Sequence, residues 1–144
     1  MAYVAGYCIF NDVSARKLNL AANRDARDGD SFFDWLAGKW LDGFAPLGPY
    51  LVTKDEIPDV HNLSVRLYVN GVLKQDGNTA QMIFDVPETV SFFSQFMTLE
   101  PGDVIATGTP SGVGDASGTY LKAGDEMRGE IEKLGVLVTP VRAE

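Results

Sequence analysis

The stretch Leu63-Ser64-Val65-Arg66-Leu67-Tyr68-Val69-Asn70-Gly71-Val72-Leu73 lies near the middle of the chain. Its first part alternates in polarity, as a strand with one buried face does. Asn70-Gly71 suits the type I′ turn of a β-hairpin, because both central residues of that turn need a positive φ. Val72 and Leu73 then resume a β-rich sequence. The stretch therefore predicts a hairpin, and a sheet built around it.

Further β-rich segments lie on both sides of the predicted hairpin. Residues 3–10 are apolar and rich in β-formers, which predicts a buried strand. Residues 50–53 and 103–107 predict two more strands, and a final pair is expected around Gly135. The segments do not alternate regularly with helices, so the pattern favours a β-dominated α+β fold over a parallel α/β sheet.

Three short helices are predicted, each from a residue that caps helix N-termini. Asp12 lies in the first such signal, for a helix running to about residue 21. Ser31 precedes the amphipathic segment 32–36, and Asp85 precedes a segment with proline in its first turn. Residues 23–30 are polar and predict an exposed loop. No boundary is evident, so residues 1–144 are expected to form a single domain.

Composition restricts the class of protein. The chain has 144 residues, 45% of them hydrophobic and 22% charged, which is typical of a soluble globular domain. Its net charge of −8 argues against nucleic acid and anionic membrane surfaces as partners. No apolar run approaches the roughly 20 residues of a membrane helix, and no signal peptide is evident, so a cytoplasmic protein is expected.

Cysteine chemistry is not favoured by the sequence. Cys8 is the single cysteine, so no disulfide can form within the chain. A cysteine nucleophile is usually activated by a histidine. The single histidine, His61, lies in a polar segment that predicts a turn. We therefore expect Cys8 to be a small buried apolar residue.

Four motifs occur together along the chain in the order and approximate spacing of one family. They are Gly6-Tyr7 with Asn11-Asp12-Val13-Ser14-Ala15-Arg16; Gly38-Lys39 with Asp42-Gly43-Phe44-Ala45-Pro46-Leu47-Gly48-Pro49; Val69-Asn70-Gly71 with Asn78-Thr79 and Met82-Ile83-Phe84; and Pro101-Gly102-Asp103-Val104-Ile105 with Thr107-Gly108-Thr109-Pro110-Ser111-Gly112-Val113-Gly114. Each motif alone is weak, whereas four in order are specific. The chain resembles the C-terminal catalytic domain of the fumarylacetoacetate hydrolase family.

The resemblance implies a fold of mixed β-sheets rolled into a flattened barrel, with short helices at the periphery. It implies a divalent cation, usually Mg²⁺ with Mn²⁺ or Ca²⁺ as possible substitutes, and usually a homodimer. It also implies a small acidic 2-oxo or β-dicarbonyl substrate, as in the catabolism of aromatic compounds. The reactions implied are C–C bond hydrolysis, decarboxylation and keto–enol isomerisation.

The resemblance assigns Asp12 to the metal. The bland alternative is a helix N-cap, worth about 1 kcal/mol. In the family two further glutamates, in a Glu-x-Glu pattern, bind the metal from a strand before the one that contains Gly6, and the printed sequence has no such strand. We therefore expect a partial domain whose upstream part is missing. Glu130 and Glu132 have the right spacing, although carboxylates in a hairpin usually face solvent.

The resemblance also implies the residues that contact the substrate. Arg16 would hold the substrate carboxylate, and Lys39 would stabilise an enolate. Arg16 lies four residues after Asp12, so on the predicted helix the two side chains would share one face. Asn19 and Asp42 are substrate-binding candidates, and Thr109 would hydrogen-bond a substrate carboxylate or carbonyl. The bland alternatives are a local ion pair for Arg16, a snorkelling lysine for Lys39 and a tight turn around Thr109. Asp42 is also a candidate partner for Lys39.

Three functions follow from these candidates. The leading one is a metal-dependent enzyme that acts on 2-oxo or β-dicarbonyl acids through a stabilised enolate. The second is an inactive truncated remnant that keeps the fold without the metal site. The third is a carboxylate-binding module that uses Arg16 and Thr109 without a metal. Because Asp12 is one carboxylate, we expect this polypeptide alone to bind Mg²⁺ weakly, to associate with itself and not to turn over substrate.

Overall fold

The structure is a computed structural model that describes residues 1–16, 18, 25 and 27–143. It divides into two compact units, which are treated separately below. The short unit is Phe10–Leu47, and the long unit joins Met1–Ile9 to Gly48–Glu144. That residues 1–144 form a single domain stays a prediction.

Strands dominate the described secondary structure. The strands are β1 Gly6–Phe10, β2 Leu47–Thr53, β3 Ser64–Val69, β4 Val72–Asn78, β5 Glu126–Ile131 and β6 Gly135–Pro140. The helices are α1 Asp30–Ala37, α2 Val86–Ser94 and the single turn α3 Gly114–Ser117, with a 3₁₀ turn at Thr79–Gln81. The predicted β-dominated α+β class is confirmed. None of the helices in the described residues has the length and apolar character to cross a membrane.

The predicted hairpin is confirmed. β3 pairs antiparallel with β4, and the turn between them has φ of 50° at Asn70 and 76° at Gly71. Positive φ at both central positions is the signature of a type I′ turn. The Asn70 side chain donates to Asp125 Oδ1 at 2.8 Å and accepts from the Glu126 amide at 2.9 Å. The turn is thereby tied to the start of β5.

The larger sheet has the strand order β4-β3-β5-β6. Its strand pairs are all antiparallel, whereas the resemblance implies mixed sheets. β1 and β2 form a separate two-stranded sheet. A small buried cluster of Ile9, Ile57, Leu63 and Leu134 forms the core of the long unit. Because Ile9 lies in β1 and Leu63 precedes β3, this core joins the two sheets within the long unit.

The first predicted helix is absent from the described residues. Residues 11–16 and 18 are not helical, and residues 19–21 lie outside the described part. The backbone amides of Val13 and Ala15 instead donate to Phe44 O at 3.1 Å and Gly38 O at 2.9 Å. These long-range hydrogen bonds hold residues 13–15 against residues 38–44 in a non-helical conformation.

Three other local predictions differ from the structure. α1 begins at Asp30 with Gly29 as its N-cap, so Ser31 is not the cap. Residues 23, 24 and 26 of the predicted exposed loop 23–30 lie outside the described residues. Its last residue, Asp30, belongs to α1, and the Asp30 side chain is buried and accepts from the Arg27 amide at 2.9 Å. Residues 103–107 are not a strand, because a strand needs a hydrogen-bonded partner and none of the described strands pairs with them.

Candidate active site

Asp12 and Lys39 meet in the short unit, at the end of α1. The helix ends at Ala37, and the carbonyl of its C-cap, Gly38, accepts from the Ala15 amide at 2.9 Å. A Cβ on Gly38 would lie 2.5 Å from the Ala15 carbonyl oxygen. Only glycine allows so close an approach without displacing the backbone. This contact fixes the segment that carries Asp12 against the end of α1, where Lys39 follows directly.

An ion pair joins the two side chains. Lys39 Nζ donates to Asp12 Oδ2, and it lies 5.5 Å from the centroid of the Trp35 ring. The Lys39 side chain is 17% exposed, while that of Asp12 is 48% exposed. The ammonium is therefore held between a carboxylate and an aromatic face, with the carboxylate open to solvent. Asp12 is not the N-cap of a helix, since residues 13–16, which follow it directly, are not helical.

The other candidates in the short unit do not join this pair through a described hydrogen bond. Arg16 is exposed in a turn, outside any helix, so the predicted alignment with Asp12 on one helix face is wrong. Asp42 is exposed in a turn, and the described ion pair of Lys39 is to Asp12 rather than to Asp42. Asn19 lies outside the described residues. The substrate contacts predicted for these three residues stay predictions.

Thr109 lies in the long unit, exposed, in a segment without regular structure. Its hydroxyl oxygen accepts from Nε2 of Gln75, in β4, at 2.9 Å. Gln75 is 8% exposed and also donates to the Pro110 carbonyl at 2.7 Å. The sequence analysis did not single out Gln75. The local sequence around Gln75 does not indicate that its side chain is buried. The burial depends on contacts with a segment more than thirty residues further along the chain.

The described residues supply only part of the ligand set that the predicted divalent cation requires. Hard divalent cations need several oxygen ligands. In the part of the chain that the structure describes, no group of three or more His, Cys, Asp or Glu side chains could hold a metal ion. Asp12 fits as one ligand, because its carboxylate is half exposed and held by a single lysine. The described residues therefore supply one ligand and not a complete shell.

Glu130 and Glu132 do not fill the gap. Glu130 pairs with Arg128 at 2.6 Å, and Glu132 accepts from the Ser64 amide at 3.3 Å. Both line a cavity of about 400 Å³ in the long unit, together with Arg66 and Lys133. Two cationic side chains balance the two carboxylates there. The cavity therefore favours neither a cation nor an acidic substrate by charge.

Cys8 and His61 have separate structural surroundings. Cys8 lies in β1, and burial raises the pKa of its thiol, which disfavours the nucleophilic thiolate. His61 Nε2 accepts from the Val86 amide at 3.1 Å, at the start of α2. An imidazole nitrogen engaged in this way serves a helix terminus. The prediction that Cys8 is buried is met only in part, because its side chain is partly exposed.

The motifs, the sheet-dominated fold and the Asp12–Lys39 pair together indicate one class of enzyme. The family model described as fumarylacetoacetate (FAA) hydrolase C-terminal matches residues 1–142, and the chain belongs to this family. The match extends over both compact units.

Named relatives give the range of activities in the family. The chain is 48% identical over 98% of its length to a mitochondrial oxaloacetate tautomerase of Bos taurus, of which it covers 43%. It covers 47% of a solved fumarylacetoacetate hydrolase of Exiguobacterium antarcticum, at 42% identity over 96% of this chain and a TM-score of 0.84. The chain thus spans less than half of the length of these relatives.

A third relative has been solved with ligands. The maleylpyruvate hydrolase of Sphingobium sp. SYK-6, in complex with manganese(II) ion and pyruvate, is 39% identical, with a TM-score of 0.69. The match covers 74% of this chain and 38% of that one. Because these relatives are named as a tautomerase and as hydrolases, an enzyme is favoured over a non-catalytic remnant.

Proposed function

We propose that this chain is part of an enzyme that converts small 2-oxo or β-dicarbonyl acids through an enolate, with the help of a divalent cation. The observation that carries the proposal is the ion pair of Lys39 with Asp12 in the short unit. An enolate oxygen develops negative charge during hydrolysis, decarboxylation or tautomerisation of such acids. A fixed ammonium nearby stabilises that charge in the transition state.

The role of Lys39 follows from how it is held. The side chain is mostly buried, and its ammonium is placed by both Asp12 and the Trp35 ring. A cation fixed before the reaction needs no reorganisation when charge develops on the substrate. Lys39 is therefore the proposed catalytic residue of the short unit.

Asp12 is the proposed ligand for the cation, for which Mg²⁺ is the first choice and Mn²⁺ or Ca²⁺ are substitutes. A half-exposed carboxylate oxygen is the donor type that these hard cations prefer. The bound cation would supply Lewis-acid polarisation of the substrate carbonyl. The manganese and pyruvate in the maleylpyruvate hydrolase support a cation of this kind and an acidic 2-oxo ligand.

Substrate binding is assigned to the remaining candidates. Arg16 is proposed to take the substrate carboxylate, because a guanidinium can bind it in two parallel hydrogen bonds. Thr109 is proposed as a hydrogen-bond donor to a substrate oxygen, and Asn19 and Asp42 as further polar contacts. The relative named as an oxaloacetate tautomerase favours a C4 dicarboxylic 2-oxo acid as the first substrate to test.

Oligomer and compartment remain part of the proposal. A homodimer is proposed from the family resemblance. The cytoplasmic location also stays a prediction, and several relatives are named as mitochondrial enzymes.

A substrate and metal screen tests the proposed function. The full-length enzyme of which this chain is proposed to be part is assayed for tautomerisation and decarboxylation of oxaloacetate and for hydrolysis of acylpyruvates. Turnover of at least one substrate is expected, with loss on chelation and recovery with Mg²⁺. Calorimetric titration of Mg²⁺ provides a readout independent of activity.

Asp12→Asn is the informative variant in this screen. It should raise the Mg²⁺ concentration needed for half-maximal activity, because the variant lacks a carboxylate charge at the cation. Asp28→Asn is the matched control, since Asp28 is an exposed residue of a turn. Turnover that is unaffected by both chelation and Asp12→Asn would contradict the proposal.

A further inference from the structure

A buried glutamine of β4 lies behind the loop that carries Thr109. Gln75 is 8% exposed, whereas Thr109 is exposed. The Gln75 Nε2 atom lies 2.9 Å from Thr109 Oγ1 and 2.7 Å from the Pro110 carbonyl oxygen. It also lies 3.5 Å from the Ser111 carbonyl oxygen. One side-chain amide thus contacts three successive residues of the loop.

The surroundings fix which way this amide faces. The carbonyl oxygens of Pro110 and Ser111 can only accept hydrogen bonds, so they require the NH₂ end of Gln75. An NH₂ group has hydrogens and no lone pair to offer, so it donates to Thr109 Oγ1 as well. The Thr109 oxygen therefore accepts from Gln75, and the Thr109 hydrogen must be donated elsewhere.

The loop is held tightly enough for this orientation to persist. A Cβ on Gly112 would lie 2.0 Å from the Lys74 carbonyl oxygen, and one on Gly77 would lie 2.8 Å from Pro110 Cβ. The loop thus packs directly on β4 on both sides of Gln75, through its backbone at Gly112 and through the Pro110 side chain. A close-packed backbone of this kind leaves little room for the loop to move away from the amide.

We infer that Gln75 is a positioning residue that makes Thr109 a hydrogen-bond donor toward an anionic ligand oxygen. The inference rests on the proposed function, in which Thr109 contacts the substrate. This orientation of the Thr109 hydroxyl gives the site a preference for a carboxylate or enolate oxygen over a ligand group that donates hydrogen bonds. A hydroxyl turned outward by a buried amide suits a ligand that only accepts hydrogen bonds.

A double-mutant cycle on oxalate affinity tests the inference. Oxalate is an acidic probe that resembles an enolate, and its binding is measured by calorimetry in the presence of Mg²⁺. Gln75→Met and Thr109→Val should each weaken binding by roughly 10- to 100-fold, the range for one hydrogen bond to a charged group. Thr109→Ser keeps the hydroxyl and should bind oxalate almost as wild type does.

Coupling between the two sites distinguishes positioning from a purely structural role. If Gln75 acts through the Thr109 hydroxyl, adding Gln75→Met to Thr109→Val should cause no further loss of affinity. The inference would be overturned if Gln75→Met lowered oxalate affinity by the same factor in the Thr109→Val protein as in wild type. An unchanged affinity in Thr109→Val would overturn it as well.

Gln75→Glu gives a second test if the methionine variant does not fold. A buried carboxyl has a raised pKa, and once ionised it accepts the Thr109 hydrogen instead of donating to its oxygen. Oxalate affinity of this variant should therefore fall as pH rises through that pKa, relative to wild type. The same pH dependence in both proteins would contradict the inference.

Lys39→Met, measured in parallel, separates this inference from the proposed function. If Lys39→Met leaves oxalate affinity unchanged, the proposed function is at fault. If Lys39→Met weakens oxalate binding and the losses of affinity caused by Gln75→Met and Thr109→Val are additive, only the role inferred for Gln75 is wrong.

Discussion

At the scale of single residues, Lys39 has three neighbours with different effects. Asp12 forms an ion pair with its ammonium, the Trp35 ring faces the ammonium, and Gly38 fixes where its backbone emerges from α1. A lysine that merely snorkels would direct its ammonium into solvent. The Lys39 side chain is instead mostly buried, which favours a cation fixed in the site over a snorkelling lysine.

Trp35→Leu should lower kcat about two- to fivefold. A cation–π contact at a partly exposed position contributes about 0.5–1 kcal/mol, and its loss would let the ammonium leave its fixed position. Trp40→Leu is the matched control, because Trp40 is also an exposed tryptophan in the short unit, next to Lys39 in sequence. Steady-state kinetics of both variants provide the comparison. Equal effects of the two substitutions would mean that the Trp35 ring does not position Lys39.

Whether the neighbours of these residues could be predicted from the sequence depended on how far apart in the sequence the contacting residues lie. The proximity of Asp12 and Lys39 was expected only because the family resemblance assigned both residues to one site. The ion pair itself was not predicted, since Asp42 was the candidate partner for Lys39. Helix geometry, which was the local argument for placing Arg16 beside Asp12, failed. Gln75 was missed because its burial and its hydrogen bonds depend on residues 109–111.

At the scale of elements, sequence patterns predicted correctly those turns and helices whose hydrogen bonds join residues close in sequence. The Asn70-Gly71 turn was predicted and observed. α2 was predicted from Asp85, whose side chain accepts from the Glu88 amide at 2.7 Å in a capping box. The predicted helix after Asn11 failed because the amides of that segment bond to distant carbonyls. A capping sequence is not sufficient when long-range partners compete for the same backbone groups.

Gly112→Ala should destabilise the protein more than Gly108→Ala. Both glycines have positive φ, 101° and 106°, so alanine is strained at either position. A Cβ on Gly112 would also meet the Lys74 carbonyl, whereas one on Gly108 would have nothing within 4 Å. Steric overlap in a packed region costs about 1–3 kcal/mol. Urea unfolding of the two variants isolates that difference, and equal midpoints would contradict the close packing of the loop on β4.

At the scale of the whole molecule, the long unit exposes aromatic side chains near α2. Phe92 and Phe96 are 60% and 59% exposed, with ring centroids 5.2 Å apart. A groove of about 430 Å³ beside them is lined by Phe93, Met97 and Val104, among others. Contiguous exposed apolar surface is typical of a surface that another chain covers. These side chains are candidates for the homodimer contact that the family resemblance implies.

Replacing both Phe92 and Phe96 with serine should weaken self-association. Burying one such side chain contributes about 1.5–3 kcal/mol, so the double variant should shift the monomer–dimer equilibrium strongly toward monomer. Sedimentation velocity over a range of protein concentrations measures the shift. Tyr3→Ser is the control, because Tyr3 is 98% exposed in the same unit and distant in sequence. An unchanged dimer in the double variant would exclude this surface as the contact.

Turnover by Lys39→Met, made in the full-length enzyme, tests the central claim most directly. Methionine keeps much of the length and packing of the lysine side chain and removes its charge. The protein should therefore stay folded, with a thermal midpoint close to that of wild type. Its kcat should fall by roughly 10²–10³, the typical effect of removing one group that stabilises a developing oxyanion. Lys122→Met, at an exposed position of the long unit, should leave kcat unchanged. Wild-type turnover by folded Lys39→Met would remove Lys39 from the mechanism and contradict the account.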